Sequence, residues 1–107
     1  MKKLLFICSQ NRLRSPTAEA VFAEYEGIET DSAGLDHYAE VPLSTEAIEW
    51  ADIIFVMEKS HKIKLAQKFQ PFLKNKRVIC LDIPDEFEYM DAKLIDILKK
   101  KVLKIIT

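Results

Sequence analysis

Two stretches of the chain are apolar without a break, Leu4-Leu5-Phe6-Ile7 and Ile53-Ile54-Phe55-Val56-Met57. Short runs with no polar alternation suit strands buried on both faces of a parallel sheet. The first predicts a strand over Lys2 to Cys8 and the second a central strand over Ile53 to Met57. Val78 to Leu81 predicts a last buried strand, and Ile28 to Ser32 a short one. Between these runs the period becomes helical. Ser15 as N-cap and Pro16 as first helical residue open a helix whose stripe is Ala18, Val21, Phe22 and Tyr25, ended by Gly27. Ser44 or Thr45 caps a brief helix to Trp50, and Ser60 to Phe69 forms another that Pro71 ends. Asp91 caps a final helix carrying Leu94, Ile97, Leu98, Val102 and Ile105 at helical spacing. Gly34 to Pro42 and Asp82 to Met90 read as irregular. Strands alternating with helices imply an α/β fold, a three-layer sandwich around a four-stranded parallel sheet.

A chain of 107 residues suits one domain, 1–107. Its composition, 49% hydrophobic and 31% charged, is that of a globular protein and not of a disordered chain. No apolar run reaches the roughly 18 residues of a membrane span, and Leu4 to Ile7 is too short for a signal-peptide core. The expectation is a cytoplasmic protein with no membrane partner. Two cysteines, Cys8 and Cys80, without a Cys-x-x-Cys pair, and two histidines call for neither a zinc site nor a disulfide framework. No metal or cofactor is expected, and Cys80, inside an apolar strand, reads as core. A net charge of −1 speaks against a nucleic-acid partner. The charge is nonetheless uneven: Ser15 to Glu58 has no Lys or Arg, whereas Lys59 to Arg77 has seven and no acid. That basic stretch is either a solvated helix face or a surface that steers an acidic substrate.

The chemistry concentrates in Cys8-Ser9-Gln10-Asn11-Arg12-Leu13-Arg14-Ser15-Pro16, between the first strand and the first helix. In parallel α/β sheets ligands bind beyond the carboxyl ends of strands, where helix N-termini present unpaired amides to an anion. Those amides and neighbouring cations favour the thiolate of a cysteine placed there. Five residues between Cys8 and Arg14 let the loop curl round a tetrahedral anion and bring the guanidinium to the far side. Arg offers a planar fork that matches two phosphate oxygens. Ser15 can give its hydroxyl to the sulfur, and Asn11, both donor and acceptor, can pin a strained loop. The segment therefore reads as a phosphate cradle with an in-line nucleophile. The bland alternative, a small buried cysteine and a surface arginine, leaves Asn11, Ser15 and Pro16 unexplained.

Cys8, Asn11, Arg14, Ser15 and Pro16 match the Cys-x5-Arg-Ser-Pro signature of the low-molecular-weight protein tyrosine phosphatases, which the chain resembles as a short bacterial-type member. The similarity continues through Thr17-Ala18-Glu19, Asp31-Ser32-Ala33-Gly34 and Ala51 to Glu58. The resemblance implies phosphomonoester hydrolysis through a phosphocysteine on Cys8, with Arg14 binding the phosphoryl group and Ser32 supporting Asn11. The partners it implies are a phosphotyrosyl protein or small phosphomonoester, and inorganic phosphate. The chain is shorter than the family between Gly34 and Trp50, where the family has a loop-ordering histidine, and His37 is the nearest candidate here. Gln10 and Leu13 stand where the family has a loop glycine and a second cysteine, so a disulfide beside the nucleophile is excluded.

Expelling an alkoxide or phenoxide calls for a proton donor, and the family keeps an Asp in the loop after the last strand. Here that loop is Asp82-Ile83-Pro84-Asp85-Glu86-Phe87-Glu88-Tyr89. Asp85 is the preferred general acid and Asp82 the alternative. Phe87, Tyr89, Tyr38 and Trp50 are candidates for the walls of an aryl pocket, or core residues. Glu58 and Ser60 to His61, following the third strand at its carboxyl end, either face the site or cap a helix. Three rival functions remain: a catalytically silent phosphate- or phosphopeptide-binding module, an arsenate reductase, which would need further cysteines, and a phosphoryl-carrier domain, which would not need Arg14.

Overall fold

The computed structural model describes residues 2–106. Four strands, β1 (Lys2–Cys8), β2 (Ile28–Gly34), β3 (Ile53–Val56) and β4 (Arg77–Cys80), form one parallel sheet in the order β2-β1-β3-β4. The helices are α1 (Arg14–Phe22), α2 (Thr45–Trp50), α3 (Lys59–Phe69) and α4 (Ala92–Ile106), with a 3-10 turn at Gln70–Phe72. The expected three-layer α/β architecture is present. Because side chains alternate along a strand, the unbroken apolar runs feed two cores. Leu4, Phe6, Phe55 and Met57 pack with α1 and α4 on one face, and Leu5, Ile7, Ile54 and Val56 pack with α2 and α3 on the other. Phe6 stacks between Phe22 and Phe55, at centroid distances of 5.7 and 5.2 Å. These rings lock α1 onto the two central strands, directly beneath the loop that joins β1 to α1.

Several boundaries differ from the sequence reading. Ser15 is not the cap of α1; the helix begins at Arg14, and Ser15 lies buried in its first turn. β2 runs to Gly34, two residues beyond Ser32, because its last residues continue the pairing opposite Ile7 and Cys8. Ser44 does cap α2, accepting from the Ala47 amide at 3.2 Å. Among the described residues β4 is an edge strand paired with β3, so Val78, Ile79 and Cys80 are partly buried and Cys80 packs at the margin of the core instead of within it. In α4 the buried row is Leu94, Leu98, Val102 and Ile106, with Ile97 and Ile105 flanking it.

From β1 the chain turns to β2 on one side, and β3 lies on the other. This reversal opens a crevice at the carboxyl ends of β1 and β3, the usual ligand position in such sheets. Cys8 ends β1 at that point.

Candidate active site

Cys8 Sγ receives the backbone amide of Asn11 at 3.2 Å and lies 2.9 Å from Ser15 Oγ. Asn11 adopts φ 56°, a left-handed conformation that Asn tolerates better than most residues. Its side chain holds the bend: Nδ2 donates to Ser15 Oγ and to Ser32 Oγ, each at 2.9 Å. Ser15 Oγ thus accepts from Asn11 and keeps its own proton for the Cys8 sulfur. Ser32 in turn donates to Glu19 Oε1. Glu19, carried on α1, anchors the chain of hydrogen bonds from behind.

The rest of the loop is clamped by the segment after β2. Leu35, Asp36 and Glu40 amides donate to the carbonyls of Cys8, Ser9 and Gln10 at 3.0, 2.9 and 3.0 Å. Gly34 permits this approach, since a Cβ there would fall 2.5 Å from Ala39 Cβ and 2.6 Å from the Ser9 carbonyl oxygen. The irregular stretch is therefore a fitted brace for the loop. His37 takes no part in it; the residue is exposed and meets Tyr38 edge-on.

A histidine does reach the loop, from α3. His61 is buried, accepts the Glu58 amide on Nδ1 at 3.1 Å and faces Ser9 Oγ through Nε2 at 3.0 Å. With Nδ1 accepting, the neutral ring carries its proton on Nε2 and donates to Ser9. Burial, with the Arg14 charge behind it, holds the His61 pKa below 6.5, against the opposing pull of Glu58. The neutral form belongs to the fold, so His61 contributes stability that is full above pH 6.5. That contribution is lost as pH falls below 6.5 toward the folded-state pKa. Denaturant midpoints of the wild type should drop through this window, and those of His61→Gln should drop less. Identical pH profiles for the two proteins would exclude the coupling.

Arg14 is 4% exposed, and its Nη1 donates to Glu58 Oε2 at 2.6 Å and to the Ile83 carbonyl at 2.7 Å. Of five guanidinium hydrogens, two are committed and the Nε–Nη2 edge is what the fork offers an anion. Glu58 has both roles weighed from sequence: it caps α3 in a capping box with His61 and also orients Arg14. The only sequence signal for this pairing is its position at the carboxyl end of β3.

The loop residues border a cavity of about 420 Å³, lined by Cys8, Ser9, Gln10, Arg12, Leu13, Arg14 and Asp85. Asp85 Oδ1 stands 3.9 Å from Arg14 Nε at the mouth. Its loop is pinned at both ends: the Ile83 amide donates to Met57 O at 2.8 Å, and the Met90 amide to Thr17 Oγ1 at 3.0 Å. Asp82 faces elsewhere, near Cys80 Sγ at 3.5 Å, and borders a separate depression with Glu58, Lys59 and Ser60. Among the described residues, none of the four candidate aromatics lines the Cys8 cavity. Tyr38 and Tyr89 are exposed, Phe87 packs on the α1–α4 core, and Trp50 lies at the opposite end of the sheet, before β3.

The family model described as low molecular weight phosphotyrosine protein phosphatase matches residues 3–42, which carry the loop, α1, β2 and most of the brace. Over that segment, somewhat over a third of the 107 residues, the chain is similar to this family. Solved structures of the same fold extend the likeness from end to end. The YwlE arginine phosphatase from Geobacillus stearothermophilus is 24% identical, with a TM-score of 0.74 over 98% of this chain and 95% of that one. The low molecular weight protein tyrosine phosphatase SP-PTP from Streptococcus pyogenes is 15% identical, with a TM-score of 0.79 over 99% and 91%. The tyrosine phosphatase Wzb from Escherichia coli K30, solved with phosphate, is 18% identical, with a TM-score of 0.77 over 97% and 95%. No curated protein matches the chain.

Proposed function

We propose that the chain is a phosphomonoester hydrolase that works through a phosphocysteine on Cys8. The carrying observation is the sulfur itself, at the floor of the cavity, with an amide and a hydroxyl directed at it and the Arg14 fork beside it. A phosphoryl group seated in the loop meets backbone N–H groups and the Nε–Nη2 edge of Arg14, donors that strengthen as charge builds on the equatorial oxygens. Sulfur attacks phosphorus as the P–O bond to the leaving group breaks, and Asp85 gives that oxygen its proton. Water then attacks the phosphocysteine, Asp85 accepts a proton from it, and the departing thiolate is received by the Asn11 amide and Ser15. A solved YwlE arginine phosphatase bearing serine for its cysteine has that active-site serine phosphorylated, which supports a covalent route on this fold.

The test is direct capture of the intermediate. Acid quenching during turnover of para-nitrophenyl phosphate, followed by peptide mass spectrometry, should find phosphate on the Cys8 peptide. Nitrophenol release with phosphate on no cysteine would overturn the mechanism. Tight phosphate binding without release would instead establish the silent binding module. That second reading draws on the low exposure of Cys8 and Arg14, 4% each.

A further inference from the structure

Cys8, the loop amides and Arg14 account for the inner end of the cavity, and its outer end has a different character. The outer lining is Gln10, Arg12, Leu13 and Asp85, and no aromatic ring stands there among the described residues. An aryl group would find little to stack on. What the rim does present is a cation. Arg12 is 61% exposed at its side chain, and its partner Glu40, 63% exposed, sits at 3.5 Å from Nε. Such exposed pairs are weak and exchange readily. The other charges at the site are engaged: Arg14 is tied to Glu58, and Asp85 faces Arg14 Nε.

We propose that Arg12 determines specificity by reading a second anionic group on the substrate. This rests on the phosphatase reading of the same site. The preferred substrates are phosphomonoesters with a carboxylate or second phosphate close to the phosphoryl group. A guanidinium fork pairs with either group in two parallel hydrogen bonds, at the cost of releasing Glu40. A phosphoryl group carried on a cationic side chain meets repulsion from Arg12, so the chain is set apart from an enzyme for such substrates.

The experiment compares phenyl phosphate with 3-carboxyphenyl phosphate. The expected kcat/KM preference for the carboxylated ester is about fivefold at low salt, the upper range for a solvent-exposed ion pair, shrinking as salt is raised. Arg12→Ala should bring the ratio to one or below, and Glu40→Gln should raise it by freeing the guanidinium. A phosphotyrosyl peptide pair flanked by Glu or by Gln tells whether the second anion can come from a polypeptide as well as from a small molecule. Equal kcat/KM for both pairs, or a ratio unchanged in Arg12→Ala, would overturn the proposal. Absence of turnover for every ester would defeat the phosphatase reading alone. Calorimetric binding of phenylphosphonate and 3-carboxyphenylphosphonate then decides the role of Arg12: an Arg12-dependent preference upholds it, and equal affinities reject it.

Discussion

Cys8→Ser is expected to lower turnover of para-nitrophenyl phosphate by roughly 10⁴-fold or more, the scale seen when a covalent nucleophile is removed. Serine is nearly isosteric, and its hydroxyl can take the places the sulfur holds beside Asn11 N and Ser15 Oγ. The fold and the phosphate cradle should therefore survive, with a thermal midpoint close to wild type and inorganic phosphate still bound. What serine lacks is a base. The histidine at the site, His61, has Nδ1 engaged by the Glu58 amide and Nε2 by Ser9. It cannot take a proton from residue 8 without abandoning the loop it braces. A cysteine loses its own proton far more readily than a serine, so this site is built for sulfur. Turnover persisting in the variant, measured by continuous nitrophenol release, would place the nucleophile elsewhere.

Much of this site is local in sequence, which explains why it was legible. Cys8, Asn11, Arg14 and Ser15 lie within one turn of loop and the first turn of a helix, so their spacing encodes their geometry. Ser32 is placed by the family resemblance and not by spacing, and the Asn11–Ser32 bond joins the loop to β2, the strand paired with β1. Glu58 and His61 were harder, since each has an ordinary use as a helix-capping residue and only the β1–β3 register brings them to the loop. A residue that caps a helix and one that also orients a buried arginine look the same in one dimension.

The fold shows the same division. The two central strands followed from unbroken apolar runs, because burial on both faces leaves no polar alternation. Cys80 shows the same limit: four apolar letters signal a strand, but the edge position that leaves it partly buried at the margin of the core is a property of strand order. The aromatics leave the choice between pocket wall and core open in the sequence, since neither Trp50, which packs at the far end of the sheet, nor exposed Tyr38 carries a local signal of which end it occupies; Phe87 and Trp50 prove to pack on the cores.

Asp85→Asn should reduce kcat for phenyl phosphate by roughly 10²-fold, the lower range for loss of a general acid, and Asp82→Asn should change it only a few-fold. The contrast follows from placement: Asp85 borders the Cys8 cavity, while Asp82 borders another depression together with Ile83 and Pro84. Leaving-group chemistry separates a proton donor from a structural residue. Phenoxide is a poor leaving group and needs its proton, whereas para-nitrophenoxide departs with little help. The Asp85→Asn defect should therefore shrink markedly on the nitrophenyl ester, while a misfolded loop would depress both substrates alike. Binding should move the opposite way. The Asp85 carboxylate lies 3.9 Å from Arg14 Nε and competes with an incoming phosphate for that edge of the guanidinium. Replacing it by a neutral amide removes the competitor, so inorganic phosphate should bind more tightly even as kcat falls. A larger defect in Asp82→Asn, or an Asp85→Asn defect indifferent to the leaving group, would move the proton donor away from Asp85.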